Sequence, residues 1–212
     1  MYEPSRRWLN ILGKLSEILP SFTSMNRILQ DMHAYTTFVD VHGTDRIIQE
    51  QVTRTDKSSV DCIALPLFKT FLDDQVPDFV PGRIVEKVIC LSSLCYLNRF
   101  RDAVGNDFLP INRKWISSLI ELLADETSDW MGLEDLRRWC IAQGWIHAGA
   151  EQSVFVDLMR REMAVDMMIW VDVVASLKDM FYLDSLFAAK YAEFGSQCND
   201  WGNWIFDEKG NS

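Results

Sequence analysis

Chemistry-bearing residues are scarce in this chain of 212 residues. There are three histidines, His33, His42 and His147, and none stands at ligand spacing from a cysteine. That leaves little from which to build a multi-histidine metal site. The five cysteines, Cys62, Cys90, Cys95, Cys140 and Cys198, include no Cys-x-x-Cys pair. An odd set without that spacing fits reduced, buried thiols better than a disulfide scaffold. No Gly-x-Ser-x-Gly elbow, glycine-rich phosphate loop or histidine-framed cysteine occurs. The sequence names no reaction, and no cofactor is expected. Ten glycines and six prolines are few for a β-sandwich, which needs frequent turns. Adjacent arginines occur only at Arg6-Arg7, Arg137-Arg138 and Arg160-Arg161, too little to grip a phosphate backbone, so direct nucleic-acid binding is not expected.

Targeting and membrane signals are equally thin. Arg6 and Arg7 could open a secretory n-region, but Lys14, Glu17 and Pro20 interrupt the apolar run beyond them, and Glu3 and Glu17 argue against a mitochondrial presequence. No Asn-x-Ser/Thr acceptor is present. The most apolar stretch, Met163 to Leu177, contains Asp166 and Asp172, so it reads as a core helix rather than a membrane span. These absences lead to the expectation of a cytoplasmic protein in a reducing compartment.

The chain is rich in helical periodicity. Trp8, Ile11, Leu12, Leu15, Ile18 and Leu19 recur at three- and four-residue steps and stop at Pro20. A second stripe carries Met25, Ile28, Leu29 and Met32, and the β-branched, aromatic Tyr35–Val41 then reads as a short strand or extended link. Gly43 ends it, and Thr44 or Asp45 could cap a short helix through Val52. Residues 53–59 read as a loop, Cys62–Leu72 as a short helix interrupted at Pro66, and residues 73–82 as a proline-rich break. Helices are expected at Arg83–Arg101, at Lys114–Ala124 capped by Asn112, and at Met131–Gln143 capped by Ser128 and stopped by Gly144. A long run then extends from Glu151 to Phe194, with a kink or split expected near Ser176, and Trp201, Trp204 and Ile205 form a final docking stripe. The pattern predicts an all-α, irregular multi-helix domain of about eight or nine helices, with at most one minor strand near 36–41. Residues 1–55 are read as an N-terminal helical lobe packed on a main acidic helical domain, 61–212.

Charge and tryptophan are distributed unevenly. Residues 1–106 carry 12 basic and 13 acidic side chains, a net of −1, whereas residues 107–212 carry 9 and 18, a net of −9. Seven of the eight tryptophans, all but Trp8, fall in that acidic half. Trp139 and Trp170 have apolar neighbours and read as core. Trp130, Trp145, Trp201 and Trp204 lie among Gly, Asp and Asn and are divided between core and interface. With Asp125, Glu126 and Asp129 they form the candidate partner-binding set. Glu134–Arg138 and Asp157–Arg161 are spaced as intrahelical ion pairs.

Two short stretches have further chemistry. Asp40-Val41-His42-Gly43-Thr44-Asp45 resembles the ligand spacing of metallohydrolases but reads more simply as a capped turn. Asp73-Asp74-Gln75-Val76-Pro77-Asp78 resembles the aspartate-rich motif of class I terpene synthases. The stretch Asn199-Asp200-Trp201-Gly202-Asn203-Trp204-Ile205-Phe206-Asp207 is similar to their second metal motif, with Asn203 in place of a hydroxyl residue and Asp207 in place of Glu. That resemblance implies magnesium held by Asp73, Asp74, Asp78, Asn199, Asn203 and Asp207, and an isoprenyl diphosphate substrate. The first expectation is different: a non-enzymatic interaction factor (accessory, inhibitor or immunity-type protein, or assembly subunit) that binds a basic protein partner through an acidic, Trp-bearing surface. A structural subunit of a larger complex is the third reading.

Overall fold

In the computed structural model, residues 5–42, 59–72, 77, 79–104, 113–125 and 127–199 are described. Among them every regular element is helical, and the chain is an all-α multi-helix domain. Among the described residues nine α-helices run in order: α1 (Arg6–Ile18), α2 (Phe22–His42), α3 (Ser59–Phe71), α4 (Arg83–Val104), α5 (Arg113–Ala124), α6 (Glu134–His147), α7 (Gln152–Val165), α8 (Trp170–Lys178) and α9 (Asp184–Asn199). A single 3-10 turn, Gly149–Glu151, leads into α7.

Helix α1 starts at a Ser5 cap, whose Oγ accepts the Trp8 N–H at 3.1 Å. Trp8, Ile11, Leu15 and Leu19 are buried, as the spacing predicts. Helix α2 departs from expectation. It runs on through Tyr35–Val41, the stretch read as strand or link, and Asp40, Val41 and His42 are helical rather than a capped turn. Burial explains the difference. Met25, Ile28, Leu29, Met32, Thr36 and Val39 continue one apolar face, and that periodicity outweighs the weak β-propensity of the local residues. The Thr36 hydroxyl lies 2.8 Å from Met32 O and 2.6 Å from the Tyr96 hydroxyl, so even this polar member of the face is satisfied. Helix α3 passes through Pro66 without ending, although proline has no N–H to give the preceding turn. The expected helix over 47–52, most of the 53–59 loop and the 199–207 stripe beyond Asn199 lie outside the described residues.

Helices α4 and α6 form the centre. Almost every residue from Val85 to Phe100 is buried, and so are Leu136 and Arg138–Trp145. Helices buried nearly all round belong in the middle of a domain. Around them pack α3, α5, α7, α8 and α9. The buried apolar side chains from Trp8 to Cys198 form one contiguous cluster. Its aromatic heart joins four elements: Trp8 meets Phe181 edge-on at 5.0 Å, Trp139 lies 5.2 Å from the same ring, and Tyr96 stacks on Phe187 at 5.3 Å.

One buried ion pair fixes the entry to α4. The Arg83 Nη1–H donates to Glu86 Oε2 at 2.6 Å, and both side chains are sealed from solvent. Arg83 Nη2 also donates to Thr70 O at 3.0 Å, and Glu86 Oε1 accepts the Ser21 N–H at 3.1 Å. The pair thereby ties α3 and the start of α2 to α4. Gly82 precedes it at φ +78°, and a Cβ there would lie 1.9 Å from Ile18 O, so only glycine fits beside the end of α1.

The second half is cut differently from its sequence reading. Ser128 does not cap α6, which begins at Glu134 after a turn at Gly132, φ +81°. Gly144 does not stop α6 either. A Cβ there would come within 2.2 Å of the Phe155 ring, so this glycine admits α7 to the face of α6. His147 is the last residue of α6 rather than part of a linker. The run from Glu151 to Phe194 is three helices, not one split near Ser176, which lies inside α8. Met163–Leu177 is accordingly not one core helix but the end of α7, an exposed turn and most of α8.

Candidate interaction surface

The acidic residues expected at the surface are partly engaged in holding turns. Asp125 Oδ1 accepts the Thr127 N–H at 2.8 Å and its hydroxyl at 2.6 Å. These bonds, the hydroxyl one first, hold the Asp125 carboxyl below its ordinary range. Asp129 Oδ1 accepts the Met131 N–H at 2.9 Å and remains exposed. Glu134 turns back to the Gly132 N–H at 2.8 Å instead of pairing with Arg138.

Arg137 and Arg138 are turned inward, whereas Arg6, Arg7 and Arg161 are exposed. Arg137 Nη1 meets Glu162 at 2.7 Å, its Nη2 donates to Leu123 O at 3.0 Å, and its guanidinium lies 5.9 Å from the centre of the Trp130 ring. Burial still pushes the Glu162 carboxyl up, opposed by Arg137 and Arg138. Arg138 bridges Asp135, at 2.8 Å, and Asp166. Arg7 joins Asp135 at 3.2 Å and Asp179 at 3.1 Å, which fastens α1 to the acidic half. Arg160, not Arg161, faces Asp157, at 3.5 Å. Intrahelical pairs thus form at i, i+3 rather than at the expected i, i+4, and Arg137–Glu162 and Arg138–Asp166 add pairs from α6 to α7 and the turn after it. Residues after α7 curl back within reach of α6, which spacing along one helix does not reveal.

Two of the tryptophans considered for the surface are core. Trp145 has no exposed area, stacks on Phe194 at 4.7 Å and donates its Nε1–H to Gln197 Oε1 at 3.3 Å. Trp130 is 6% exposed beneath Arg137. Neither ring is exposed: Trp145 lies within α6, where its neighbour Gly144 is helical rather than a turn, and Trp130 is covered in the turn before α6. Glu126, Trp201 and Trp204 lie outside the described residues. So do Asp73, Asp74, Asp78, Asn203 and Asp207, while Asn199 is exposed at the end of α9. Among the described residues no three His, Cys, Asp or Glu side chains group as metal ligands. Cys90, Cys95, Cys140 and Cys198 are free and buried, and burial pushes the thiols of Cys95, Cys140 and Cys198 up to about 12.

Phe79, Met131 and Leu72 are exposed singly, whereas four exposed apolar residues cluster in sequence around the turn from α7 to α8. Val165 is 81% exposed, Met167 93%, Ile169 63% and Val171 70%. Beside them opens a cleft of about 320 Å³ between α7 and the end of α9, walled by Met163, Met167, Met168 and Ile169, with Arg160, Cys198 and Asn199 also lining it. Arg160 Nη2 donates to Gln197 O at 2.6 Å, fastening α7 to the last turn of α9. Asp166 and Asp172 alternate with this apolar set along the chain at exposed positions, Asp166 paired with Arg138 and Asp172 Oδ2 accepting the Ile169 N–H at 3.4 Å, and Asp157 is exposed on α7. The sequence hid this site inside its most apolar stretch. Residues 167–171 are all apolar, so no period in the sequence separates the exposed side chains from the buried Trp170. No helix among the described residues is long and apolar enough to cross a membrane. No protein-family model, curated protein or solved structure matches the chain.

Proposed function

We propose that this chain is a non-enzymatic interaction factor that holds a basic protein partner on its acidic half, as an accessory, inhibitor or immunity-type protein or as an assembly subunit. The observation that carries the reading is the exposed apolar turn. Four large side chains between Val165 and Val171 lie more than half exposed amid carboxylates, on the half of the chain with net charge −9. Clustered apolar exposure rimmed by polar groups marks interaction surfaces. Carboxylates at the rim steer a cationic partner and reject an acidic one.

The test is co-purification of the tagged chain from its source cell, with stoichiometry read by native mass spectrometry. The expected partner is basic and is released as salt rises, because screened surface charges lose their attraction. Reversing charge with Asp129→Lys, Asp157→Lys and Asp172→Lys together should release it at lower salt. A partner indifferent to both salt and charge reversal counts against the reading. Thermal stabilisation by magnesium with pyrophosphate, abolished by Asp74→Ala, would replace it with the diphosphate-enzyme reading.

A further inference from the structure

We infer that the cleft between α7, α8 and the end of α9 receives the apolar face of a cationic amphipathic helix, with Met167 held out to meet it. The inference rests on the basic-partner reading above and specifies its site and its occupant. The first support is the backbone at the end of α7. Met168 N–H bonds to Met163 O at 2.9 Å and Met167 N–H to Ala164 O at 3.4 Å, the two bonds of a Schellman cap. Met167 occupies the left-handed position of that cap, φ +52°, which glycine fills without strain. A methionine there, 93% exposed, contributes nothing to the core. Its side chain is displayed at a conformational cost, on the wall of a cleft.

The second support is the cleft's composition. Met163, Met167, Met168 and Ile169 give it an apolar wall of mostly unbranched thioethers, which repack around helices of differing sequence. The third is charge. Residues 149–199 carry eight acidic and four basic side chains. The cation nearest the cleft, Arg160, has its donors on Gln197 O and Cys198 O and faces Asp157. Arg161 is the exposed cation on the same helix; Asp157 and Asp166 already face Arg160 and Arg138, so the attraction comes from the acidic excess of the whole segment rather than from one carboxylate. A second copy of this chain would bring net charge −10 against −10, which the same field opposes. Among the described residues there is no strand whose edge could pair with an extended peptide. That leaves helix-in-groove docking as the fitting mode.

The test uses the full chain and a fluorescent amphipathic peptide of about 14 leucines and lysines with leucines at i, i+3, i+4 and i+7, read by anisotropy. A scrambled peptide of identical composition and an oligolysine serve as controls. The expected result is binding at least about ten-fold tighter than either control. The double variant Met167→Asp/Ile169→Asp should weaken it about ten-fold or more, and Met167→Gly several-fold with Tm no lower than that of the parent. Because Met167→Gly relaxes the backbone, a loss of binding there cannot be assigned to unfolding. Equal binding of helix and scramble overturns the inference, as does undiminished binding by folded variants. If a salt-released partner is kept by Met167→Asp/Ile169→Asp, the acidic-surface reading stands and the cleft inference falls. If no salt-released partner exists and the peptide also fails, both fall. A dimer seen by sedimentation and abolished by Met167→Asp would make a second copy the occupant and overturn the inference.

Discussion

Met167 shows how one residue can oppose local preference. A non-glycine residue in the left-handed region is disfavoured by about 1–2 kcal/mol. Glycine gives back part of that through the freedom it adds to the unfolded chain, roughly 0.4–1 kcal/mol. Met167→Gly is therefore expected to be neutral or to stabilise the fold by up to about 1 kcal/mol, visible as a raised denaturant midpoint at constant m. A clear loss of stability would mean that its side chain packs in a way its 93% exposure does not show. The Arg83–Glu86 pair has the opposite character. Glu86→Ala strands a buried guanidinium and the Ser21 N–H, and should cost about 3–5 kcal/mol. Replacing both partners by methionine should cost far less, because no unpaired charge is left inside. Urea melts of the single and double variants separate the two cases. The thiols offer a third check at this scale. Cys90, Cys95, Cys140 and Cys198 are buried and raised above the ordinary thiol range by desolvation, so they should resist alkylation in the native state and label only on unfolding. Peptide mapping distinguishes them from Cys62.

Among the elements, glycine placement decides how helices meet. Gly144→Ala would drive a methyl into the Phe155 ring, 2.2 Å away, with Leu119 at 3.0 Å. It should destabilise the α6–α7 contact by about 1–3 kcal/mol even though alanine is the better helix former. The same residue shows what sequence conveys and what it does not. Periodic stripes made α1 and α5 legible, because a partly covered helix records its orientation in every turn, and the length and apolar content of Arg83–Arg101 made α4 legible although it is buried nearly all round; together they gave the all-α class. Gly144 as a stop and Tyr35–Val41 as a strand reflected local preference, and both gave way to packing partners distant in sequence. The α7–α8 break was obscured for a related reason. Its turn residues are Asp, Met, Met and Ile, with neither glycine nor proline to punctuate them. The acidic character of the surface could be read from composition. The burial of Trp145 and the placing of the exposed turn could not, since both depend on which helices close over which faces.

For the whole molecule, pH acts chiefly on folding and salt chiefly on partner binding. Burial pulls the His33 ring below its ordinary value of 6.5, so below that pH the unfolded chain binds the extra proton first and stability falls on acidification. Toward alkali, unfolded thiols lose protons from about 9, whereas folded Cys95, Cys140 and Cys198 keep theirs up to about 12. The folded state then holds more protons than the unfolded one, and stability declines as pH rises through that window. Denaturant midpoints across the two flanks should trace both losses. Salt should leave the buried core nearly untouched and weaken what the surface holds, since screening reaches exposed charges first. The most direct measurement is a salt series of peptide titrations on the native chain, using the cationic amphipathic helix and its scramble. Tight, helix-selective binding that weakens steadily as salt is added is the predicted result. Absence of binding at low salt, or an affinity that salt leaves unchanged, would contradict the account of a cleft on the acidic half that holds a cationic helix.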